Sequence, residues 1–82
     1  MSDEREESKQ GTPLVGRYAN YFTVGHNAFE FLLDFGQCYA GSEHLGVVHT
    51  RIITGPIYAK ALLRTLAESL EQYEQVFGVI DA

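Results

Sequence analysis

Hydrophobic and polar residues alternate through the middle of the chain, and this alternation predicts β-strands. Every second residue from Phe29 to Phe35 in the segment AFEFLLDFGQ is phenylalanine or leucine, which is a period of two. The preceding segment RYANYFTV is rich in β-forming residues. Between the two segments, GHNA (25–28) predicts a four-residue hairpin loop, because glycine and asparagine accept unusual backbone angles.

A third strand and a long helix are predicted in the second half. The segment VVHTRIIT, Val47–Thr54, is β-branched at six of its eight positions. After it, apolar residues recur in steps of three and four, which is one face of a helix. These residues are Ala59, Leu62, Leu63, Leu66, Leu70, Tyr73 and Phe77. Gly55 and Pro56 suit the start of the helix and Gly78 suits its end.

The fold class that follows is α+β: a three-stranded antiparallel meander followed by one long helix packed on one sheet face. We expect a single domain over residues 14–82. Residues 1–13 are polar and charged without periodicity, so they predict a disordered acidic tail.

The position of the hairpin loop also predicts a register. The expected pairs are Val24 with Phe29, Phe22 with Phe31, and Tyr18 with Phe35. Side chains alternate along a strand, so these residues share the face that the helix would cover. Glu30 and Asp34 then lie on the opposite face. Asn20 is the unusual residue of the covered face: either it bonds backbone at a bulge or strand end, or the register is off by one there.

The opposite face is a candidate interface. The same register places Tyr21 opposite Leu32, and a third strand that pairs Arg51 with Asp34 places Ile53 beside Leu32. An exposed apolar row and two open sheet edges are usually covered by a partner. We therefore predict a homo-oligomer, in its simplest form a dimer. Its predicted interface consists of Tyr21, Leu32, Asp34, Arg51 and Ile53.

Charge and cysteine content narrow the class of protein. The 82 residues carry a formal net charge of -5, and no basic stripe points to nucleic acid or an anionic membrane as a partner. A single cysteine, Cys38, fits a reducing compartment. No apolar run is long enough to span a bilayer, and the charged N-terminus is unlike a signal peptide. We expect a cytoplasmic protein.

Candidate chemistry is sparse, and we expect no enzyme, cofactor or metal. His26, Cys38, His44 and His49 lack the close spacing of zinc ligands. Glu30 and Asp34, four apart on a strand, would lie about 13 Å apart, too far for a paired-carboxylate acid/base site.

Two further groups of residues contain side chains that could bind or react. Ser42, His44 and Asp34 are the residue types of a nucleophile triad, but no elbow motif brings them together. An anion could bind at Arg51, Gly55 and Lys60, where a helix begins.

Several motifs together resemble a known family. YAN, GHNAFEFLLDFGQ, the run VHTRIITGPIYAKALLRTL and LEQYEQVFG are similar to small bacterial proteins catalogued only as a domain of unknown function. The resemblance spans about residues 16–78. It implies a bacterial cytoplasmic protein with a sheet-plus-helix fold, and no reaction or ligand. Members of that family often carry Ser or Thr at the position of Gly55. Glycine has no side chain to cap the helix, so this departure weakens the expectation of a side-chain cap.

The sequence therefore favours an interaction or assembly module, with two alternatives. A meander followed by a long helix is similar in outline to SecB-like export chaperones, although no SecB motif is present. This suggests peptide or client binding by a sheet edge or the apolar face. The other alternative is a small-anion or metal-binding sensor.

Overall fold

The structure is a computed structural model that describes residues 13–39 and 46–82. It has three strands, β1 (Tyr21–His26), β2 (Phe31–Gln37) and β3 (Val47–Thr54), and one helix, α1 (Pro56–Phe77). The strands form an antiparallel sheet in the order β1-β2-β3. The predicted α+β meander and the bounds of β3 are confirmed. All but the last residue of the predicted tail, 1–13, lies outside the described residues.

In the hairpin of β1 and β2, each β1 residue pairs with a β2 residue four positions later than predicted. Phe22 pairs with Phe35, and His26 pairs with Phe31. The Asn27 side-chain oxygen accepts hydrogen bonds from the backbone N–H groups of Phe29, at 2.7 Å, and of the following residue, Glu30, at 2.9 Å. This Asx turn places the loop at residues 27–30 and leaves Gly25 inside β1. Because the shift is even, the residues that remain in the strands keep their predicted faces, whereas Phe29 lies in the loop.

The β2–β3 pair contains a bulge that the alternation did not indicate. Phe35 pairs with Thr50 and Gly36 pairs with Val48, so His49 is an extra residue on β3. A Cβ at Gly36 would overlap the Val47 carbonyl group. Glycine is therefore required at this close approach of two backbones.

Asn20 extends the sheet beyond the first residue of β1. Its side-chain oxygen accepts the Cys38 N–H at 2.8 Å, and its amide nitrogen donates to the Cys38 carbonyl at 3.3 Å. Its backbone N–H donates to the Gly36 carbonyl at 3.0 Å. The side-chain amide of Asn20 thus continues the hydrogen-bond ladder between β1 and β2 as a backbone group would. The prediction that Asn20 bonds to backbone groups at a strand end is confirmed.

Helix α1 has the predicted bounds because glycine and proline delimit it. Gly55 is the N-cap in extended conformation and makes no side-chain cap bond, and Pro56 occupies the first turn. Gly78 ends the helix at φ 101° and ψ 166°, a region almost restricted to glycine. The Glu74 carboxylate then accepts the Ile80 N–H at 2.9 Å, which ties the segment after the helix back onto it.

The helix does not pack on the sheet of its own chain, which corrects the predicted layer arrangement. None of its residues is buried, and no apolar side chain of the described residues is buried either. The physical reason lies in the connection: only Gly55 separates β3 from α1. Connections between a strand and a helix that packs on its sheet usually take 2 to 6 residues.

Candidate functional site

One sheet face is apolar and uncovered, and we call it the phenylalanine face. It comprises Phe22, Val24, Phe31, Leu33, Phe35 and Ile52, which share a face by register and alternation. The Phe22 and Phe35 rings meet edge to face, with centroids 5.8 Å apart and planes at 89°. Phe22 is nevertheless 59% exposed and Val24 62% exposed. Cross-strand aromatic packing thus organises this face without removing it from solvent.

The helix carries a second uncovered apolar surface, which we call the helix stripe. Its members are Leu62, Leu63, Leu66, Leu70, Tyr73 and Phe77. The Tyr73 and Phe77 rings are one helical turn apart, with centroids at 4.9 Å. Leu66, near the middle of the stripe, is 54% exposed. An amphipathic helix usually gains its stability by burying such a stripe, yet this one faces solvent.

The opposite sheet face is held by an ion pair, and we call it the ion-pair face. Arg51 donates from Nε to Asp34 Oδ1 and from Nη2 to Oδ2, both at 2.8 Å. The hydrogen bonds from Arg51, with its positive charge, lower the pKa of the Asp34 carboxyl against the opposing effect of desolvation. The predicted neighbours Leu32 and Ile53 are paired. The bidentate geometry fixes how β2 and β3 align.

Tyr21 lies on the ion-pair face but away from Leu32, which corrects the predicted apolar row. Tyr21 pairs with Gly36, whereas Leu32 pairs with Gly25. A Cβ at Gly46 would overlap the Tyr21 ring, so the ring packs against the chain that enters β3. The Leu32–Ile53 pair is therefore separated along this face from Tyr21, which lies nearer to Val48, the partner of Gly36.

Each predicted anion-binding residue has its own surroundings in the structure. The Arg51 guanidinium is engaged by Asp34, and Gly55 is the N-cap of the helix. Lys60 is exposed on the first turns of α1. The anion site stays a prediction.

An open groove of about 580 Å³ lies where the segment before β1 crosses the bulge. It is lined by Val15, Arg17, Ala19, Phe35, His49, Thr50 and Arg51. His49 Nε2 donates to the Tyr18 carbonyl at 3.0 Å, and its Nδ1 is 2.7 Å from the Thr50 hydroxyl. Arg17 donates to the His49 carbonyl at 3.4 Å. These polar groups hold the crossing segment on the sheet.

The candidate metal ligands are dispersed. His26 stacks on Phe31 with ring centroids 5.2 Å apart, and His49 holds the bulge. His44 lies outside the described residues, as does Ser42. No cluster of three or more His, Cys, Asp or Glu side chains suited to a metal ion occurs in the described part of the chain.

The predicted face shares Phe22, Val24, Phe31 and Phe35 with the phenylalanine face, but it was predicted to lie beneath the chain's own helix. In the structure Phe22 and Val24 are exposed and the phenylalanines of β2 are half-buried. The signal that could have shown this is the tripeptide Thr54-Gly55-Pro56. With the strand ending at threonine and the helix beginning at proline, one residue remains to turn the chain.

Comparison with known proteins identifies a family and nothing beyond it. No helix in the described ranges has the length and apolar character to cross a bilayer. No curated protein and no solved structure matches the chain. The family described as "Protein of unknown function (DUF3467)" matches residues 4–82, in agreement with the resemblance seen in the motifs. The chain belongs to the DUF3467 family.

Proposed function

We propose that the protein is a non-enzymatic interaction module that assembles with copies of itself through its sheet. The observation that carries this proposal is the absence of any buried apolar side chain in residues 13–39 and 46–82. A domain of this size normally buries more than half of the surface that its unfolded chain exposes. Burial of apolar surface is the dominant favourable term in folding. The missing burial has to come from association.

The accessible surface is large enough to supply a stable interface. The whole chain exposes 7242 Å², against about 4,900 Å² for a compact protein of this mass. The total also counts residues outside the described ranges, so the difference of about 2,300 Å² per chain is an upper bound. Two chains could then bury up to about 4,600 Å², and obligate homodimers bury roughly 2,000–5,000 Å².

Asp34 and His49, two side chains of types that can act in catalysis, are held by hydrogen bonds to other residues, which supports a role without catalysis. The Asp34 carboxylate accepts both hydrogen bonds from the Arg51 guanidinium. His49 is held between Tyr18 and Thr50. A general acid or base needs a proton-transfer partner within reach and an environment that tunes its pKa toward the working pH. Here each group has a structural partner instead.

The first experiment is the mass in solution, measured by light scattering at about 10 and 200 µM. We expect an integer multiple, most simply twice, of the chain mass of 9.2 kDa. A folded species with the mass of one chain at both concentrations would overturn self-association.

The ion-pair face, with Tyr21, Leu32, Asp34, Arg51 and Ile53, is the second part of this proposal. Ile53 is exposed there beside Leu32, and Ile53→Glu would place a charge on it. A lower mass with unchanged far-UV circular dichroism would assign this face to the assembly. An unchanged mass would remove it from the interface and leave the phenylalanine face.

Peptide or client capture is the second candidate function, favoured by the two open edges of the sheet. Both β1 and β3 are edge strands, and β3 is rich in β-branched residues. An extended apolar peptide could add as a strand to either edge. This function predicts that such a peptide binds the assembled protein and displaces an environment-sensitive dye. If the assembled protein binds neither dye nor peptide, client capture is ruled out.

A further inference from the structure

The connection between sheet and helix decides where the helix can pack. Gly55 is extended, at φ -85° and ψ 163°, and its carbonyl already accepts the N–H groups of Tyr58 and Ala59. Pro56 has its φ restricted by its ring. The helix therefore begins immediately after the strand, with no residues left for a reversal of direction. The helix stripe cannot reach the phenylalanine face of its own chain across such a connection.

The helix stripe is nevertheless large enough to cover the phenylalanine face. From Leu62 to Phe77 the stripe is about 22 Å long, at 1.5 Å per residue. From Phe31 to Phe35 the face extends about 14 Å along β2. The outer strands of a three-stranded sheet lie about 10 Å apart, which is close to the diameter of one helix. One stripe is therefore long enough and wide enough to cover one phenylalanine face.

We propose that two copies exchange their helices, so that the helix stripe of each protomer packs on the phenylalanine face of the other. This inference rests on the proposed self-association and specifies its geometry. The arrangement is isologous and closes with two-fold symmetry. It covers both apolar surfaces of both chains. Pairing helix with helix alone, or sheet with sheet alone, would leave the other surface in water.

Short connections of this kind favour exchange between chains, because a longer one would let the element fold back on its own chain. The decisive variant therefore lengthens the connection by about six Gly and Ser residues, inserted between Thr54 and Gly55. The matched control adds the same segment after Ala82, where it leaves the connection unchanged.

We expect the lengthened chain to be a folded monomer with unchanged far-UV circular dichroism and a melting temperature independent of concentration. The control should stay a dimer. A lengthened chain that dimerises with the dissociation constant of the parent would overturn helix exchange while leaving self-association intact. If the parent itself is monomeric, the proposed function fails first.

A second variant keeps the inference testable if the lengthened chain does not fold. Val24→Glu places a charge on the phenylalanine face without altering the helix, and Val24→Ile, which keeps the same position apolar, is its control. Burying an unpaired carboxylate is costly, so helix exchange predicts that Val24→Glu weakens the dimer by at least about 100-fold. An unchanged dissociation constant would overturn helix exchange and point to helix–helix pairing.

Discussion

The sheet and the helix of this protein are stabilised in different ways. The sheet is held within the chain by long-range polar contacts: Asn20 to the backbone of Cys38, and Arg51 to Asp34. The side-chain contacts of the helix within residues 13–39 and 46–82 are local, such as the Tyr73–Phe77 ring pair and the bond from Ile80 to Glu74.

This difference shows that a well-defined element need not have a partner in its own chain. The sheet has specific polar contacts that set its register but little apolar burial. The helix has sharp ends and a regular stripe but no surface to pack on. Since isolated helices in water are marginal, the helix depends more on association than the sheet does. Substitutions in the sheet should therefore change mainly the free energy of unfolding, whereas substitutions in the helix should change mainly the dissociation constant of the assembly.

The largest expected effect is in the sheet, at Gly36. A Cβ there would overlap the backbone of β3 at Val47 rather than a flexible side chain. Gly36→Ala should therefore lower the free energy of unfolding by about 3 kcal/mol or prevent folding. Urea denaturation measures this. The control is Gly25→Ala, where a Cβ has nothing within 4 Å. Similar losses for both variants would show that the close approach is not the cause.

The next effect is on the helix, at Leu66. Leu66→Glu should weaken self-association by at least about 100-fold, because a charge would enter the buried stripe. The dissociation constant from sedimentation or light scattering measures it. Ala61→Glu, on the solvent side of the helix, should leave it unchanged. If Leu66→Glu keeps the parent dissociation constant, the helix stripe is not part of the interface.

A smaller effect is expected at the hairpin turn. Asn27→Ala removes the acceptor for the N–H groups of Phe29 and Glu30, and should cost about 1–2 kcal/mol in unfolding free energy. Asn27→Asp keeps an acceptor and should retain most of the stability. An aspartate variant as unstable as the alanine variant would contradict the role given to the side-chain oxygen.

The smallest effect is the pH dependence of the Asp34–Arg51 pair. The pKa of Asp34 is lowered in the folded state, so the pair stabilises fully above the unfolded value, about 3.9. That contribution is lost as the pH falls through the lower, folded value. Asp34→Asn should therefore be less stable than the parent at pH 7, and this difference in stability should shrink as the pH falls below the unfolded value.

Denaturation midpoints at a series of pH values measure this prediction. The control is Glu68→Gln, which removes a carboxylate from the exposed surface of the helix. A constant difference between Asp34→Asn and the parent across the whole pH range would contradict the linkage.

Local patterns predicted most of the elements, and side-chain contacts account for the errors. The helix was predicted to its ends because Pro56 and Gly78 act on the backbone directly. The hairpin register was wrong because Asn27, rather than Gly25, organises the turn. Because the error of four residues is even, the residues that remain in the strands keep their predicted faces. The corrected register nevertheless separates Tyr21 from Leu32, so the predicted apolar row does not form.

The sequence by itself determined the element order, the two faces of the sheet, the helix stripe and the pairing of Asp34 with Arg51. These follow from periodicity and from residues that restrict the backbone locally. Only the tertiary structure decided the bulge at His49 and the close approach at Gly36. Each of these depends on how segments distant in the chain meet in space, and a repeating pattern along one strand or helix carries no information about that distance.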